Sequence, residues 1–153
     1  MAFTITSTAF QDGGAIPARY TCQGRDVSPP LSFAGVPAGT LSVALVVEDP
    51  DAPDPAAPRM VWDHWVVWNI QPSMVEIPEG ETPAGAIIGR NSWSENSYGG
   101  PCPPIGTHRY FFKAFALDTT LDLPPTVDKQ KLLAAMQGHV LATAESVGTY
   151  RKS

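Results

Sequence analysis

Two runs of sequence constrain the fold more than any other feature. Ser42-Val43-Ala44-Leu45-Val46-Val47 is apolar and rich in β-branched residues on both parities. His64-Trp65-Val66-Val67-Trp68-Asn69-Ile70 repeats the pattern. Successive side chains of a strand point to opposite faces. A strand that is apolar on both parities is therefore covered on both sides and sits in the middle of a layered structure. Strict alternation puts His64, Val66, Trp68 and Ile70 on one face of the second strand, and Trp65, Val67 and Asn69 on the other.

The rest of the chain supplies short elements around this pair. Phe3–Ser7 alternates apolar and polar and reads as a first strand. Tyr20–Asp26 reads as a short strand, followed by the stop Val27-Ser28-Pro29-Pro30 and by Leu31-Ser32-Phe33. Val75-Glu76-Ile77 and Ala86-Ile87-Ile88 are weaker strands, and His108–Leu117 is the clearest one. Only the end looks helical. Leu132, Leu133, Met136, Val140, Leu141 and Ala144 fall at spacings of three and four within Asp128–Ser146, and Gly138 divides that stretch into two short helices. Val147–Arg151 closes the chain as a strand. Many short strands with Gly/Pro turns and one helical patch predict an antiparallel β-sandwich or barrel with small helices added.

A length of 153 residues fits one domain spanning residues 1–153. Charged residues make up only 16%, against a typical ~25%. The net charge is −5 and the ten Lys and Arg are scattered, which argues against a nucleic-acid partner. Met1–Thr6 has neither the basic nor the apolar region of a signal peptide, and no apolar run approaches the ~18 residues of a membrane span. The expectation is a soluble cytoplasmic protein without membrane insertion. Cys22 and Cys102, 80 positions apart, match no zinc spacing. In a reducing cytoplasm two free thiols are expected in preference to one disulfide.

Proline is over-represented, with 16 residues. Four of these lie within Pro50–Pro58 and three within Pro101–Pro104, so two loops are stiffened. At the ends of these loops stand Asp49, His64, His108 and Tyr110, each at a strand–loop boundary. If the three strands are neighbours, these groups converge. Histidine and tyrosine N–H and O–H groups suit an anion, with protonated histidine adding charge. Gly99, Gly100 and Gly106 allow close backbone approach. Asp49 then serves as the acceptor that orients a histidine, and Trp62 and Trp93 offer an apolar wall. Against this stand plain structural roles: a satisfied strand histidine, a turn at Asp49-Pro50-Asp51, tryptophans (Trp62 excepted) buried in a core, and an inert Cys102. No Gly-x-Ser-x-Gly elbow or His-Glu-x-x-His helix is present. A divalent metal on Asp49, His64 and His108 remains as an alternative, with phosphoester hydrolysis as its chemistry.

Several motifs resemble the phosphatidylethanolamine-binding protein family, in its bacterial and archaeal Raf-kinase-inhibitor-like branch. They are Tyr20-Thr21-Cys22-Gln23-Gly24, Asp49-Pro50-Asp51-Ala52-Pro53, Trp62-Asp63-His64-Trp65, Gly99-Gly100-Pro101-Cys102-Pro103-Pro104 and Gly106-Thr107-His108-Arg109-Tyr110. Asp63 stands where eukaryotic members usually carry a second histidine. The resemblance implies a mainly β fold, an antiparallel Greek-key β-sandwich with short helices near the C-terminus. It also implies a small cavity for phosphate-like groups, such as a phospholipid headgroup or a phosphorylated ligand. Carried over by motif, the ligand-binding residues are Asp49, Pro53, Trp62, His64, Gly100, Pro101, His108 and Tyr110, with Asp51 and Arg109 bracing the loops. The function so implied is non-enzymatic binding without a cofactor; the histidines at the loop ends add the expectation that ligand affinity fades as they lose protons. It includes modulation of a kinase or protease partner and a homodimer. The remaining alternative is a protein-interaction or inhibitor domain whose pocket is incidental.

Overall fold

The computed structural model describes residues 2–153, so Met1, the first residue of the stretch read above for a leader, lies outside it. Within that range the chain forms two antiparallel sheets. Strands β1 (Thr4–Thr6), β2 (Leu31–Ala34) and β5 (Glu76–Ile77) make a three-stranded sheet in the order β1-β2-β5. Strands β3 (Ser42–Ala52), β4 (Met60–Ile70), β6 (Ile87–Ile88), β7 (Thr107–Leu117) and β8 (Val140–Arg151) make a five-stranded sheet in the order β6-β4-β3-β7-β8. The strands with apolar runs on both parities, β3 and β4, are therefore neighbours, and β7 flanks β3 on its other side.

Both faces of β3 and β4 are covered, for the reason their sequences dictate. Leu45, Val47, Trp65 and Val67 pack with Ile5, Leu31, Phe33 and Phe112 between the two sheets. Ala44, Val46, Val66 and Trp68 face away and pack with Leu121, Val127, Leu132 and Met136. Leu132 and Met136 come from α1 (Lys129–Met136), which thus covers the outer face of the larger sheet. Asp128 caps this helix by accepting from Lys131 N at 3.1 Å, which satisfies one of the otherwise orphaned N-terminal donors. Gly138, at φ +83°, takes the left-handed turn that ends the helical stretch.

The structure departs from the sequence reading in four places. There is one α-helix near the C-terminus, not two: Val140–Ser146 continues into β8. The spacing of Val140, Leu141 and Ala144 fits a helix, but inward-facing Ala144, Ser146 and Tyr150 follow a period of two, and β7 needs β8 as its antiparallel partner over its whole length. Tyr20–Asp26 is not a strand; a 3-10 turn spans Ala18–Tyr20, and Asp26 has φ +57°. Cys22 and Cys102 are joined in a disulfide rather than free. Finally, strict alternation fails in β4. Val47 pairs with Trp65 but Glu48 pairs with Asp63, so His64 is an extra residue in the ladder. A second irregularity sets Val43 against Ile70 and Leu45 against Val67, and Asn69 there has φ +59°. Its side chain exchanges two hydrogen bonds, both 2.8 Å, with the backbone of Leu121, which holds a conformation that non-glycine residues rarely adopt. After it, Ile70 joins Trp65 and Val67 in the inter-sheet core instead of facing with Val66 and Trp68.

Candidate functional site

The irregularity at His64 positions the site. Bulges bend a strand and re-aim its side chains. Here the bulge places His64 with Trp62 on the cavity side, while Asp63 between them turns to the opposite face, where its carboxylate lies 2.7 Å from Lys129 Nζ. Burial holds the Asp63 carboxyl above the usual range, against the pull of Lys129. A third register shift, between Asp49 and Ala52, accommodates Pro50 within β3. Proline has no N–H for a ladder, so an irregular position is where it belongs.

The cavity at this end of the sandwich measures about 430 Å³. Asp49 and Pro53 contribute from β3 and the loop after it, Trp62 and His64 from β4, and His108 and Tyr110 from β7. Asp49 Oδ1 accepts from Asp51 N at 2.8 Å, and its Oδ2 lies 2.6 Å from His108 Nδ1. His108 Nε2 faces the carbonyls of Pro53 (3.1 Å) and Ile105 (2.9 Å). Neither ring nitrogen of His108 is left for a ligand.

His64 is arranged differently. Its Nδ1 lies 2.7 Å from the Gly99 carbonyl, an acceptor only, so Nδ1 carries the proton. The ring is 3% exposed, and burial holds its pKa below the ordinary value, although Gly99 and Asp49 oppose this. At neutral pH the ring is uncharged, with a lone pair at Nε2. The expectation of a protonated, charge-bearing histidine fails for this residue because the fold desolvates it. Around it, Trp93 and Tyr110 pack edge-on, with ring centroids 5.1 and 5.2 Å away. The Tyr110 phenol is buried close to the Asp49 carboxylate, without a partner at full hydrogen-bond geometry; burial first and the Asp49 charge second push its pKa up, so it stays protonated. Trp62 likewise has a buried indole N–H without a partner.

A family model described as phosphatidylethanolamine-binding protein matches residues 6–151. The chain belongs to the phosphatidylethanolamine-binding protein family. A UPF0098 protein of Methanothermobacter thermautotrophicus is 49% identical over 97% of this chain and 98% of its own. The crystal structure of a homolog of the family from Chlamydia trachomatis, CT736, superposes with a TM-score of 0.94 at 46% identity, covering 99% of both chains. That of Escherichia coli YbcL, a further member, gives 0.89 at 32% identity over the whole of both chains.

Of the residues that the family motifs suggested, the structure brings Asp49, Pro53, Trp62, His64, His108 and Tyr110 to one cavity. Gly100 and Pro101 do not line it. Gly100 N donates to Asp26 Oδ1 at 2.7 Å, and the Pro101 carbonyl accepts from Cys22 N at 3.1 Å, so both tie the loop to the segment behind it. A Cβ on Gly100 would come within 2.4 Å of the Tyr20 carbonyl oxygen, which is why glycine stands there. Asp51 and Arg109 do brace the loops: Asp51 accepts from Arg109 N and Nε, both at 2.9 Å, and from its second guanidinium nitrogen at 2.8 Å. These bonds hold the Asp51 carboxyl below its usual range.

Sequence reasoning did not single out Ala52, Met60, Cys102, Pro103 and Pro104 as lining residues. Ala52, Met60, Pro103 and Pro104 carry no titratable or donor group, so only the closeness of Cys102–Pro104 to the recognisable glycine–proline loop hinted at this wall. Trp93, weighed as a wall or as core, is the former: it is 41% exposed and edges the cavity, whereas Trp65 and Trp68 are core. Cys102 is no inert residue, since its disulfide to Cys22 fixes one wall. Among the described residues, no three His, Cys, Asp or Glu side chains are grouped to hold a metal ion.

Proposed function

We propose that this chain is a non-enzymatic binding protein whose cavity takes a small phosphate-like group. The observation that carries the reading is a preformed cavity of about 430 Å³ on which Asp49, His64, His108 and Tyr110 converge, with one His64 ring nitrogen left unengaged by the protein. Cavities of this size with few convergent polar groups are typical small-molecule sites. The family's name points to the same ligand chemistry. The phosphoester-hydrolase alternative is the weaker one here, because Asp49 and His108 are engaged with each other and with backbone groups and so are not free to act as ligands.

Calorimetric titration with phosphoethanolamine tests the reading. Wild type is expected to bind, and Tyr110→Phe, which keeps the ring and removes one donor to a charged ligand, is expected to bind about tenfold more weakly or worse. No heat with wild type, or equal affinity for the two proteins, would refute it.

A further inference from the structure

Two of the side chains on the cavity, His64 and Trp93, are held by a loop and not by a strand. On the outer edge of β4, β6 pairs only with Val67 and Trp68. The same edge of Asp63 and His64 is left to residues 91–99. Asp63 N donates to Ser92 Oγ and Ser92 N to the Asp63 carbonyl, both at 2.8 Å. Gly99 N donates to the His64 carbonyl at 3.0 Å, and the Gly99 carbonyl accepts from His64 Nδ1 at 2.7 Å. Trp93 lies so close to Gly99 that a Cβ there would run into the indole ring. The same indole packs edge-on to the His64 ring. His64 is thus gripped by both ends of one loop.

That loop has neither helix nor strand of its own. Asn91 organises it instead. Asn91 is 5% exposed, and its side chain makes three hydrogen bonds to the loop backbone. Oδ1 accepts from Trp93 N at 2.9 Å and from Glu95 N at 3.1 Å, and Nδ2 donates to the Ser97 carbonyl at 2.8 Å. An asparagine amide mimics a backbone turn in this way. The two accepted bonds flank Ser94, whose φ of +60° is one that non-glycine residues rarely adopt. Asn91 itself does not line the cavity.

We infer that Asn91 is a positioning residue for the cavity: its Oδ1 sets the Trp93 wall, and its Nδ2, through Ser97, sets the Gly99 carbonyl that keeps the His64 proton on Nδ1. Its effect on affinity rests on the cavity reading above; its effect on His64 does not. The two ends of the amide separate by substitution. Alanine makes none of the three bonds. Aspartate keeps both accepted bonds but turns a carboxylate oxygen toward the Ser97 carbonyl, where a donor is needed.

The test compares wild type, Asn91→Ala, Asn91→Asp and Asn69→Ala in neutral buffer, by NMR of the His64 ring nitrogens and by calorimetric titration with phosphoethanolamine. Asn69→Ala controls for stability alone, because Asn69 likewise holds a left-handed residue by side-chain bonds to backbone, at the far end of β4. Wild type should show His64 as a single Nδ1–H tautomer. Asn91→Ala should show averaged tautomers and bind about 10–100-fold more weakly, the range found where groups that orient the side chains of a metal site are removed. Asn91→Asp should lose the single tautomer while the Trp93 indole resonance stays in place. Asn69→Ala should melt earlier yet keep the tautomer and bind within about twofold of wild type, as expected for distant sites. Should Asn91→Ala not fold, Asn91→Asp carries the test, since it keeps the two bonds around Ser94. A single Nδ1–H tautomer in the Asn91 variants, undiminished affinity in Asn91→Ala, or an equal loss of affinity in Asn69→Ala would overturn the inference. If wild type binds no phosphoethanolamine, the cavity reading fails, and the His64 tautomer in the variants still decides the role of Asn91.

Discussion

Removing the Cys22–Cys102 bridge should cost the protein more stability than any single hydrogen bond around the cavity. The bridge closes a separation of 80 residues. In the chain-entropy account, a loop of that length removes about 15 cal/mol/K from the unfolded ensemble, or about 4.5 kcal/mol at 25 °C. The folded state needs little from the sulfurs. Cys22 N donates to the Pro101 carbonyl at 3.1 Å, Gly100 N to Asp26 Oδ1 at 2.7 Å, and Tyr98 Oη to the Tyr20 carbonyl at 2.8 Å, so the two segments remain docked without the bridge. The cost therefore falls almost wholly on the unfolded side. For a chain of this size, each kcal/mol moves Tm by about 2–4 °C, which gives a drop of about 9–18 °C for Cys22→Ser/Cys102→Ser or for the reduced protein. Thermal melts by circular dichroism with and without reductant measure it. Urea titration should also show a larger m-value, because the unbridged unfolded chain exposes more surface. A shift under about 3 °C with an unchanged m-value would refute the reasoning, as would two titratable thiols in the native protein. The result also bears on compartment, since such bridges persist in oxidising surroundings and are rare in reducing cytosols outside hyperthermophiles.

Burial lowers the pKa of His64, so between that folded value and about 6.5 the unfolded chain binds the proton that the folded chain refuses. Stability should therefore fall as pH drops below about 6.5, and His64→Gln should remove that part of the slope; equal slopes in urea midpoints taken at pH 7.5 and 5.5 would contradict it. Asp51 has the opposite origin, a carboxyl pKa depressed by Arg109, yet the same acid-side consequence: its contribution is present above about pH 3.8 and is lost as pH falls through the lower folded value. Asp51→Asn should cost about 1–2 kcal/mol at pH 7 by urea unfolding, the modest figure reflecting the half-exposed Arg109, and a neutral result would remove the bracing role. Gly100→Ala must push Asp26 or the Tyr20–Thr21 backbone aside; a loss of about 1–3 kcal/mol is expected, and wild-type stability would show that the loop yields freely.

The central pair of strands was legible because burial on two faces leaves a two-parity signature that polar residues cannot imitate. The helix–strand boundary at Gly138 was not, because Val140, Leu141 and Ala144 satisfy both periods over a few residues and only the need of β7 for a partner decides. The bulges of β4 were invisible for a related reason. An extra residue in a ladder changes no composition, and it is defined by the partner strand, which the sequence does not name. The site followed the same division. Titratable groups at strand ends announced themselves, whereas Met60, Pro103 and Pro104 entered the cavity by geometry alone.

His64 and His108 look alike in sequence, each at the edge of a central strand beside a proline-rich loop. The fold makes them unlike. His108, facing one carboxylate and two carbonyls, is consumed in holding Asp49 and the two loops together. His64, lifted into the cavity by an extra residue in β4 and pinned by the Gly99 carbonyl, keeps one nitrogen free and stays uncharged. What a ligand meets is then set less by which residues surround it than by which lone pairs and protons the fold has left unspent. Of the two histidines, only His64 keeps a ring nitrogen that no protein group engages.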